Sequence, residues 1–222
     1  MKRIGTALVA AAIVAFSWTA ANAVIISFEE FSDLAVLTNQ IPGLTFETAV
    51  VLSGAPGGSL DVLNFPPKSG ANVIFDAYTT DENCMEGCAG PIVIRFDTPQ
   101  PSVGAYFTYL VNPGSPGSNV RLTVTAYDVE GTAVDTALSA FLDNTLLSGE
   151  PGSSPNEFLS VDFAGGIKSV RFEKDPEGTS FTLDDLTFPV PPAPVPEPGT
   201  LLLLGSGLVG VAGLARRSLR AR

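Results

Sequence analysis

The stretch Arg121-Leu122-Thr123-Val124-Thr125-Ala126-Tyr127 alternates apolar and polar side chains with a period of two. Because successive side chains of a β-strand point to opposite faces of a sheet, the apolar residues at its even-numbered positions are predicted to face a core. Asp128-Val129-Glu130-Gly131 follows and is typical of a tight hairpin, with Gly131 at the position of positive φ. Residues 132–138 are therefore predicted to return as the partner strand.

The same pattern extends along the middle of the chain. Short segments rich in Val, Ile, Phe, Thr and Tyr lie at 24–28, 44–52, 72–76, 92–96, 103–110, 120–128, 132–138, 158–163, 167–174 and 181–188. Clusters of Gly and Pro separate them, and Ala164-Gly165-Gly166 is predicted as a second tight turn. No window of helical period competes, apart from a turn near 33–39. Many short strands without a βαβ rhythm predict an all-β fold, a jelly-roll sandwich of two antiparallel sheets.

The N-terminal residues 1–23 have the layout of a secretory signal peptide. Lys2 and Arg3 give a basic start, residues 4–18 an apolar core, and Ala21-Asn22-Ala23 a small-residue cleavage site. We therefore expect an exported protein that is cleaved after Ala23, with an uncleaved N-terminal anchor as the alternative. The predicted β-sandwich domain then spans residues 24–188.

The C-terminal end contains three successive segments. Residues 189–198 (PVPPAPVPEP) form a Pro-rich linker, residues 199–215 an apolar segment, and residues 216–222 a basic tail. A helix over 199–215 reaches the lower limit of roughly 17–25 residues that span a bilayer. Its arginines lie on one side only, which keeps the tail in the cytoplasm by the positive-inside rule. A permanent single-span anchor and a segment that is later processed both fit this pattern.

The order Val195-Pro196-Glu197-Pro198, then an apolar helix, then Arg216 and Arg217, resembles the PEP-CTERM sorting signal of Gram-negative bacteria. The resemblance covers residues 195–222 only. It implies that an exosortase processes the protein, and that an inner-membrane-anchored precursor precedes a location at the cell surface or in the extracellular matrix. Bacterial strains that use this sorting signal also make extracellular polysaccharide, so the resemblance implies an exopolysaccharide as a partner.

Charge narrows the classes of partner. Between residues 24 and 194 there are 6 Lys and Arg against 22 Asp and Glu, a net charge of −16. Such a surface repels nucleic acid and has no basic patch to follow phosphates. It favours solubility and the binding of divalent cations outside the cell. Nucleic-acid binding is therefore excluded from the hypotheses.

The absence of histidine from the whole chain narrows the classes of enzyme. Neither a Ser-His-Asp system nor a zinc site built on imidazole can form. An enzyme would depend on carboxylates, as glycoside hydrolases do. Glu173-Lys174-Asp175-Pro176-Glu177 has an acidic spacing like the catalytic strand of jelly-roll glucanases, but Pro176 removes a ladder donor and favours a turn. We predict a protein without enzymatic activity, with a carboxylate-dependent glycoside hydrolase as an alternative.

Two cysteines lie four positions apart, at Cys84 and Cys88. An exported chain with an even number of cysteines favours a disulfide. This bond would fix a surface loop rather than hold the domain together, because the loop that it closes is short. A metal site or a redox pair is the alternative.

A second resemblance concerns the central domain. Ile26-Ser27-Phe28-Glu29-Glu30 opens it and Phe181-Thr182-Leu183-Asp184-Asp185-Leu186-Thr187-Phe188 closes it. These motifs resemble the jelly rolls of galactose-binding-like domains and carbohydrate-binding modules. The resemblance implies that the first and last strands meet near a structural calcium ion.

The residues themselves also point to calcium. The alternation of the last strand breaks at Asp184-Asp185, where a bulge is predicted. Two adjacent carboxylates repel unless a cation or a set of backbone N–H donors neutralises them, and Ca²⁺ prefers such oxygen ligands. Glu29 and Asp184 are the first candidates as ligands, with Glu30 and Asp185 second. Solvated charges at strand ends are the alternative.

A sugar-binding surface is predicted from the polar side of the strands. Arg121 and Tyr127 point away from the core side, and Tyr106 does so on another strand. If these strands are neighbours, the three side chains form one surface able to contact sugar rings, although ordinary cross-strand pairs explain them equally. The only tryptophan, Trp18, leaves with the signal peptide.

Taken together, the sequence predicts an exported PEP-CTERM protein, a structural or adhesive component of the cell envelope or exopolysaccharide matrix. A carbohydrate-binding module with structural calcium is the first alternative, and the hydrolase is the second.

Overall fold

A computed structural model describes residues 23–76, 90–111, 120–174 and 181–189. All of them belong to one structural unit, Asn22–Pro191. Within these residues no helix is long and apolar enough to cross a bilayer. Several predicted features lie outside the described residues: positions 1–22 of the signal peptide, Cys84 and Cys88, and residues 190–222 with the linker, the apolar segment and the basic tail.

The described residues form ten β-strands and no helix. The strands are β1 (Ala23–Ile26), β2 (Val36–Leu37), β3 (Leu44–Glu47), β4 (Ala49–Ser53), β5 (Asn72–Asp76), β6 (Ile92–Tyr109), β7 (Thr123–Tyr127), β8 (Ala133–Leu138), β9 (Glu157–Glu173) and β10 (Phe181–Pro189). Every pairing between them is antiparallel. The predicted all-β class is confirmed.

Two long strands, β6 and β9, run antiparallel to each other and contribute to both layers of a β-sandwich. Sheet one has the order β2-β4-β5-β10-β6-β9 and uses residues 102–109 of β6. Sheet two has the order β3-β6-β9-β7-β8 and uses residues 92–96 of β6. Strand β1 pairs with the end of β10, so that Ala23 lies opposite Pro189. The predicted sandwich of antiparallel sheets is therefore confirmed.

The predicted turn at Ala164-Gly165-Gly166 is wrong. These residues lie inside β9, which continues in one direction along β6 instead of reversing. Gln100 pairs with Ile167 and Ser102 with Asp162, so β9 carries extra residues where both strands pass from one sheet to the other. The local sequence pattern marks an interruption here, but it does not specify whether the chain turns back or only bends.

The predicted strand over 44–52 is divided in two by Thr48, whose φ is +54°. Strand β3 pairs with β6 in sheet two, whereas β4 pairs with β5 in sheet one. The Thr48 hydroxyl donates a hydrogen bond to the Pro91 carbonyl at this switch between sheets. In contrast, the predicted hairpin between β7 and β8 is confirmed, with Gly131 at φ +79°.

The core lies between the two sheets as a single cluster of apolar side chains. The even-numbered residues of β7 are buried in it, as their alternation predicts. Aromatic pairs join the layers: the ring centroids of Phe107 and Phe172 lie 5.4 Å apart, and those of Phe96 and Phe188 lie 5.3 Å apart. Such rings bury large areas and so contribute much of the hydrophobic stabilisation.

We predict that Gly166→Ala destabilises the bend of β9 more than the same change does in a free turn. Gly166 has φ +96°, and a Cβ there would lie 2.7 Å from Pro99 Cβ. The expected loss in the free energy of unfolding is about 3 kcal/mol, since backbone strain and overpacking add. Gly131→Ala is the control, because no heavy atom lies within 4 Å of an added Cβ. Its expected loss in the free energy of unfolding is about 1 kcal/mol, from backbone strain alone. Urea denaturation measures both, and equal losses would contradict the role of the bend.

Candidate functional site

The outer face of sheet two carries a group of polar side chains in register across neighbouring strands. We call Arg95, Thr125, Tyr127, Ser169 and Arg171 the arginine face. Arg95 pairs with Ser169, which in turn pairs with Tyr127, and these three form one row across β6, β9 and β7. Arg171 pairs with Thr125 in the next row. Strand pairing therefore places side chains from three distant segments of the chain on one surface.

A shallow depression of about 300 Å³ lies on the arginine face. Its lining consists of Val93, Arg95, Tyr127, Gly131, Ser169 and Arg171. The lining thus contains two guanidinium groups, a phenol and a hydroxyl, and none of these described residues is an Asp or a Glu. The depression offers hydrogen-bond donors and one aromatic ring to a ligand.

Both arginines make ion pairs with glutamates at the border of the depression. Arg95 Nε lies 2.9 Å from Glu47 Oε1. Arg171 donates from Nε and Nη2 to the two oxygens of Glu173, at 3.1 and 2.8 Å, and this hydrogen bonding raises the pKa of Arg171. The paired side chains remain 40% to 54% exposed. Exposed pairs contribute only about 0–1 kcal/mol, so a ligand can replace the glutamates at little cost.

The three residues predicted to contact sugar do not form one surface. Tyr127 belongs to the arginine face. Arg121 precedes β7 and donates from Nη1 to the Ser139 carbonyl at 2.8 Å. The strands of Tyr106 and Tyr127 are not neighbours at these positions, because Tyr106 lies on sheet one, paired with Phe158 and Asp184.

The surroundings of Tyr106 differ from those of the arginine face. Its ring lies 5.0 Å from that of Phe158, and Lys68 Nζ lies 4.4 Å from its centroid. The neighbouring outward residue Thr108 is buried and accepts a hydrogen bond from the N–H of Asn156 at 3.1 Å. Loop segments thus cover part of the outer face of sheet one. The arginine face is the better candidate for a binding surface.

The four residues predicted as calcium ligands, which we call the carboxylate cluster, lie where β1 meets β10. The predicted bulge is confirmed, since the register of β10 against β6 shifts between Asp184 and Thr187. Asp184 is 2% exposed and accepts hydrogen bonds from the backbone N–H groups of Lys68, Ser69 and Asp185, at 2.8, 3.0 and 2.7 Å. Burial raises the pKa of Asp184 to about 6, although these three donors act in the opposite direction.

The other members of the carboxylate cluster contact the same loop or solvent. Glu29 Oε1 accepts from the N–H groups of Ala71 and Asn72 at 3.0 and 2.8 Å. Asp185 Oδ1 accepts from the Ser69 hydroxyl at 2.7 Å, and Glu30 is exposed. The loop at 68–72 therefore supplies a set of donors that offsets the negative charge. A set of backbone N–H donors is one of the two means of neutralisation predicted from the sequence, and a bound cation is the other.

The fit of calcium to the carboxylate cluster rests on the chemistry of its donors. Carboxylate oxygens are suitable ligands for Ca²⁺, but Glu29 and Asp184 direct oxygens towards backbone N–H groups. In the described part of the chain, no three Asp, Glu, His or Cys side chains are grouped so as to hold a metal ion. The assignment of calcium to Glu29, Glu30, Asp184 and Asp185 stays a prediction.

A partly buried carboxylate that the sequence did not point to, Glu157, lies on the inner side of sheet one. The hydroxyl of Tyr109 donates a hydrogen bond to Glu157, and burial together with this bond raises the pKa of Tyr109. Glu157 also accepts from the N–H of Ala140 at 2.9 Å. The pair links β6, β9 and the segment after β8, which is a structural role.

Arg95, Ser169 and Arg171 were also not identified from the sequence. The alternation in 92–96 and 167–172 gives the side to which each of them points. It does not show that these strands become neighbours of β7, because that pairing joins segments far apart in the chain. Only the topology brings them to Tyr127.

Comparison with known proteins identifies the C-terminal motif. Residues 194–217 match the PEP-CTERM protein-sorting motif. This motif implies processing by an exosortase, and therefore export and a membrane-anchored precursor. The recognition of this motif from the sequence is therefore confirmed over residues 195–217. No curated protein matches the chain.

Several solved structures are similar in fold at low identity. The K2 adhesin domain of Lys-gingipain from Porphyromonas gingivalis has 19% identity and a TM-score of 0.42, covering 75% of this chain and 99% of that one. A Stig cyclase from Fischerella sp. TAU has 11% identity and a TM-score of 0.42, covering 77% and 99%. The family 11 carbohydrate-binding module of a Clostridium thermocellum cellulase has 11% identity and a TM-score of 0.32, covering 77% and 95%.

The raised pKa of Asp184 leads to a prediction about pH. Because this pKa lies above its ordinary value of 3.8, the folded protein binds the proton more tightly than the unfolded chain between pH 4 and 6. The contribution to stability is present below pH 4 and is lost as the pH rises to 6. We expect the free energy of unfolding of the wild type, relative to Asp184→Asn, to fall by about 2 kcal/mol from pH 4 to 7 in EDTA. Urea denaturation measures this, with Asp162→Asn as a control at an exposed carboxylate, and a rise would contradict it.

Thermal unfolding in Ca²⁺ and in EDTA tests the calcium prediction. An ion that binds only the folded state raises the melting temperature by mass action. We expect Ca²⁺ to raise the melting temperature of the wild type and to have no effect on Glu29→Gln. Identical melting in Ca²⁺ and EDTA would remove calcium from the carboxylate cluster.

Proposed function

We propose that this protein is an exported, non-enzymatic component of the cell envelope or exopolysaccharide matrix, with a structural or adhesive role. The observation that carries the proposal is the PEP-CTERM protein-sorting motif at residues 194–217. In the proposed sequence of events, the signal peptide directs export and the apolar segment holds the precursor in the inner membrane. The exosortase then processes the C-terminal end, and the β-sandwich reaches the cell surface or matrix of a Gram-negative bacterium.

The arrangement of the chain supports this order of events. Strand β10 ends at Pro189, directly where the Pro-rich linker at 189–198 begins. From its composition, we expect this linker to extend by about 3.1 Å per residue, which gives it a reach of about 30 Å. The net charge of −16 between residues 24 and 194 favours a soluble domain outside the cell.

The absence of an enzymatic role is supported by the chemistry of the described residues. The chain has no histidine, and the depression on the arginine face has no carboxylate among its described lining residues. Glu173, from the segment that has the spacing of a glucanase, is paired with Arg171. A pair of free carboxyl groups on either side of a sugar, which glycoside hydrolysis requires, is not found among the described residues of this face.

Deletion of residues 196–198 tests the sorting proposal. We expect the variant to accumulate as an unprocessed precursor in the inner membrane, because the apolar segment remains but the motif is lost. Deletion of 191–193 is the matched control, since it shortens the linker equally and leaves the motif intact. Cell fractionation and mass spectrometry of the mature C-terminus measure the result. Normal release of the variant that lacks 196–198 would overturn the proposal.

Binding of carbohydrate is the second candidate function, and the arginine face favours it. The row of Arg95, Ser169 and Tyr127 places hydrogen-bonding groups beside an aromatic ring on an open sheet. Rings and hydrogen-bond donors in this arrangement fit the apolar faces and hydroxyl groups of sugars. This function agrees with a location in an exopolysaccharide matrix.

A pull-down with the exopolysaccharide of the producing strain tests this second function. We expect capture of the wild type and about tenfold weaker capture of Tyr127→Ala, because a buried aromatic contact of this size contributes on the order of 1 kcal/mol or more. Tyr106→Ala is the control, since it removes the same side chain from the opposite sheet. Equal loss in both variants would contradict an assignment to the arginine face.

A further inference from the structure

We propose that the arginine face recognises the carboxylate groups of an acidic extracellular polysaccharide, such as a polymer of uronic acids. The inference rests on the second candidate function, carbohydrate binding, and adds the chemical class of the ligand. It is derived from the placement of positive charge in the domain and from the spacing of the side chains around the depression.

Positive charge is scarce in this domain and two of its six basic residues line one depression. Residues 24–194 contain 6 Lys and Arg against 22 Asp and Glu. Arg95 and Arg171 both line the depression on sheet two. The other four direct a nitrogen to a backbone carbonyl or an aromatic ring: Arg121 to Ser139, Lys168 to Asp97, Lys174 to Val120, and Lys68 to Tyr106. The depression therefore brings together two of the six basic side chains of an acidic domain, each paired with a glutamate at its border.

The two arginines retain donors for a ligand. Arg95 donates to Glu47 from Nε, and its two terminal nitrogens make no hydrogen bond within the described residues. Arg171 likewise has Nη1 left after its two bonds to Glu173. A guanidinium group presents its donors in a planar fork that matches a carboxylate. A carboxylate of the ligand can thus bind alongside Glu47 and Glu173 or replace them.

The spacing of the site fits a polymer better than a small anion. Adjacent strands lie about 4.8 Å apart, so the row from Arg95 through Ser169 to Tyr127 extends about 10 Å. Arg171 lies two residues along β9 from Ser169, about 7 Å further on. A saccharide chain across this surface meets an aromatic ring, a hydroxyl and two cations in turn. Neutral sugar units need only the first two, so the arginines add selectivity for acidic units.

The overall negative charge of the domain opposes a polyanion at long range. At 0.15 M ionic strength the screening length is about 8 Å, which weakens repulsion from distant carboxylates more than direct contacts with the arginines. Binding is therefore measured at this salt concentration. EDTA is included so that calcium cannot bridge the polymer to surface carboxylates.

Affinity electrophoresis of the full-length chain in detergent tests the inference with two matched polymers. Polygalacturonate carries the carboxylates, and carboxyl-reduced polygalacturonate has the same backbone without them. We expect retardation by the first polymer only. Arg95→Gln and Arg171→Gln each weaken it about tenfold, as expected for loss of a charge-assisted contact. Lys68→Gln, which removes the same charge from the opposite sheet, leaves binding unchanged.

The other outcomes separate the inference from the functions on which it rests. Equal binding of both polymers, lost in Tyr127→Ala, would overturn the selectivity for carboxylates and leave carbohydrate binding in place. Binding of neither polymer would overturn the inference, and the pull-down with native exopolysaccharide then decides the carbohydrate function separately. Retardation by poly-glutamate equal to that by polygalacturonate would overturn the assignment to a polysaccharide. Equal effects of Arg95→Gln and Lys68→Gln would overturn the assignment of binding to the arginine face.

Discussion

The antiparallel pairing of β6 with β9 is the interaction on which the rest of the structure depends. These two strands pair from residues 92–95 of β6 against 169–172 of β9, through a bend, to residues 102–107 against 157–162. Because they are central in both layers, their hydrogen bonds fix the register of each sheet and the orientation of one sheet against the other. The aromatic contact of Phe107 with Phe172 forms between the two layers as a result. The bend also separates Tyr106 from Tyr127, so it decides which polar residues share a surface.

Much of the fold is predictable from the sequence because the strands alternate clearly and Gly and Pro mark their ends. The hairpin of β7 and β8 shows this well, since the alternation of 121–127 and the turn at 128–131 are both local. Changes of sheet are not local. At Thr48 and at 164–166 the chain passes between layers, and the pattern on either side is that of an ordinary strand. What decides the path there is contact with β6, which is distant in the sequence.

The carboxylate cluster and the arginine face likewise combine local features, which the sequence predicts, with contacts between distant segments, which it does not. The break in alternation at Asp184-Asp185 predicts a bulge with two carboxylates, and the structure has it. The donors that neutralise Asp184 come from Lys68 and Ser69, more than 100 positions away, and no local pattern shows them. Arg95 and Arg171 appear in the sequence as isolated charges between apolar residues. Their common surface exists only because β9 pairs with β6 on one side and β7 on the other.

Strand β1 lies beside the last residues of β10, with Ala23 opposite Pro189. Among the described residues, β1 alone pairs with the last two residues of β10, because the pairing with β6 ends at Thr187 and that with β5 at Leu183. The strand that opens the domain therefore holds the residues next to the linker in the sheet, and its loss would free the end of β10.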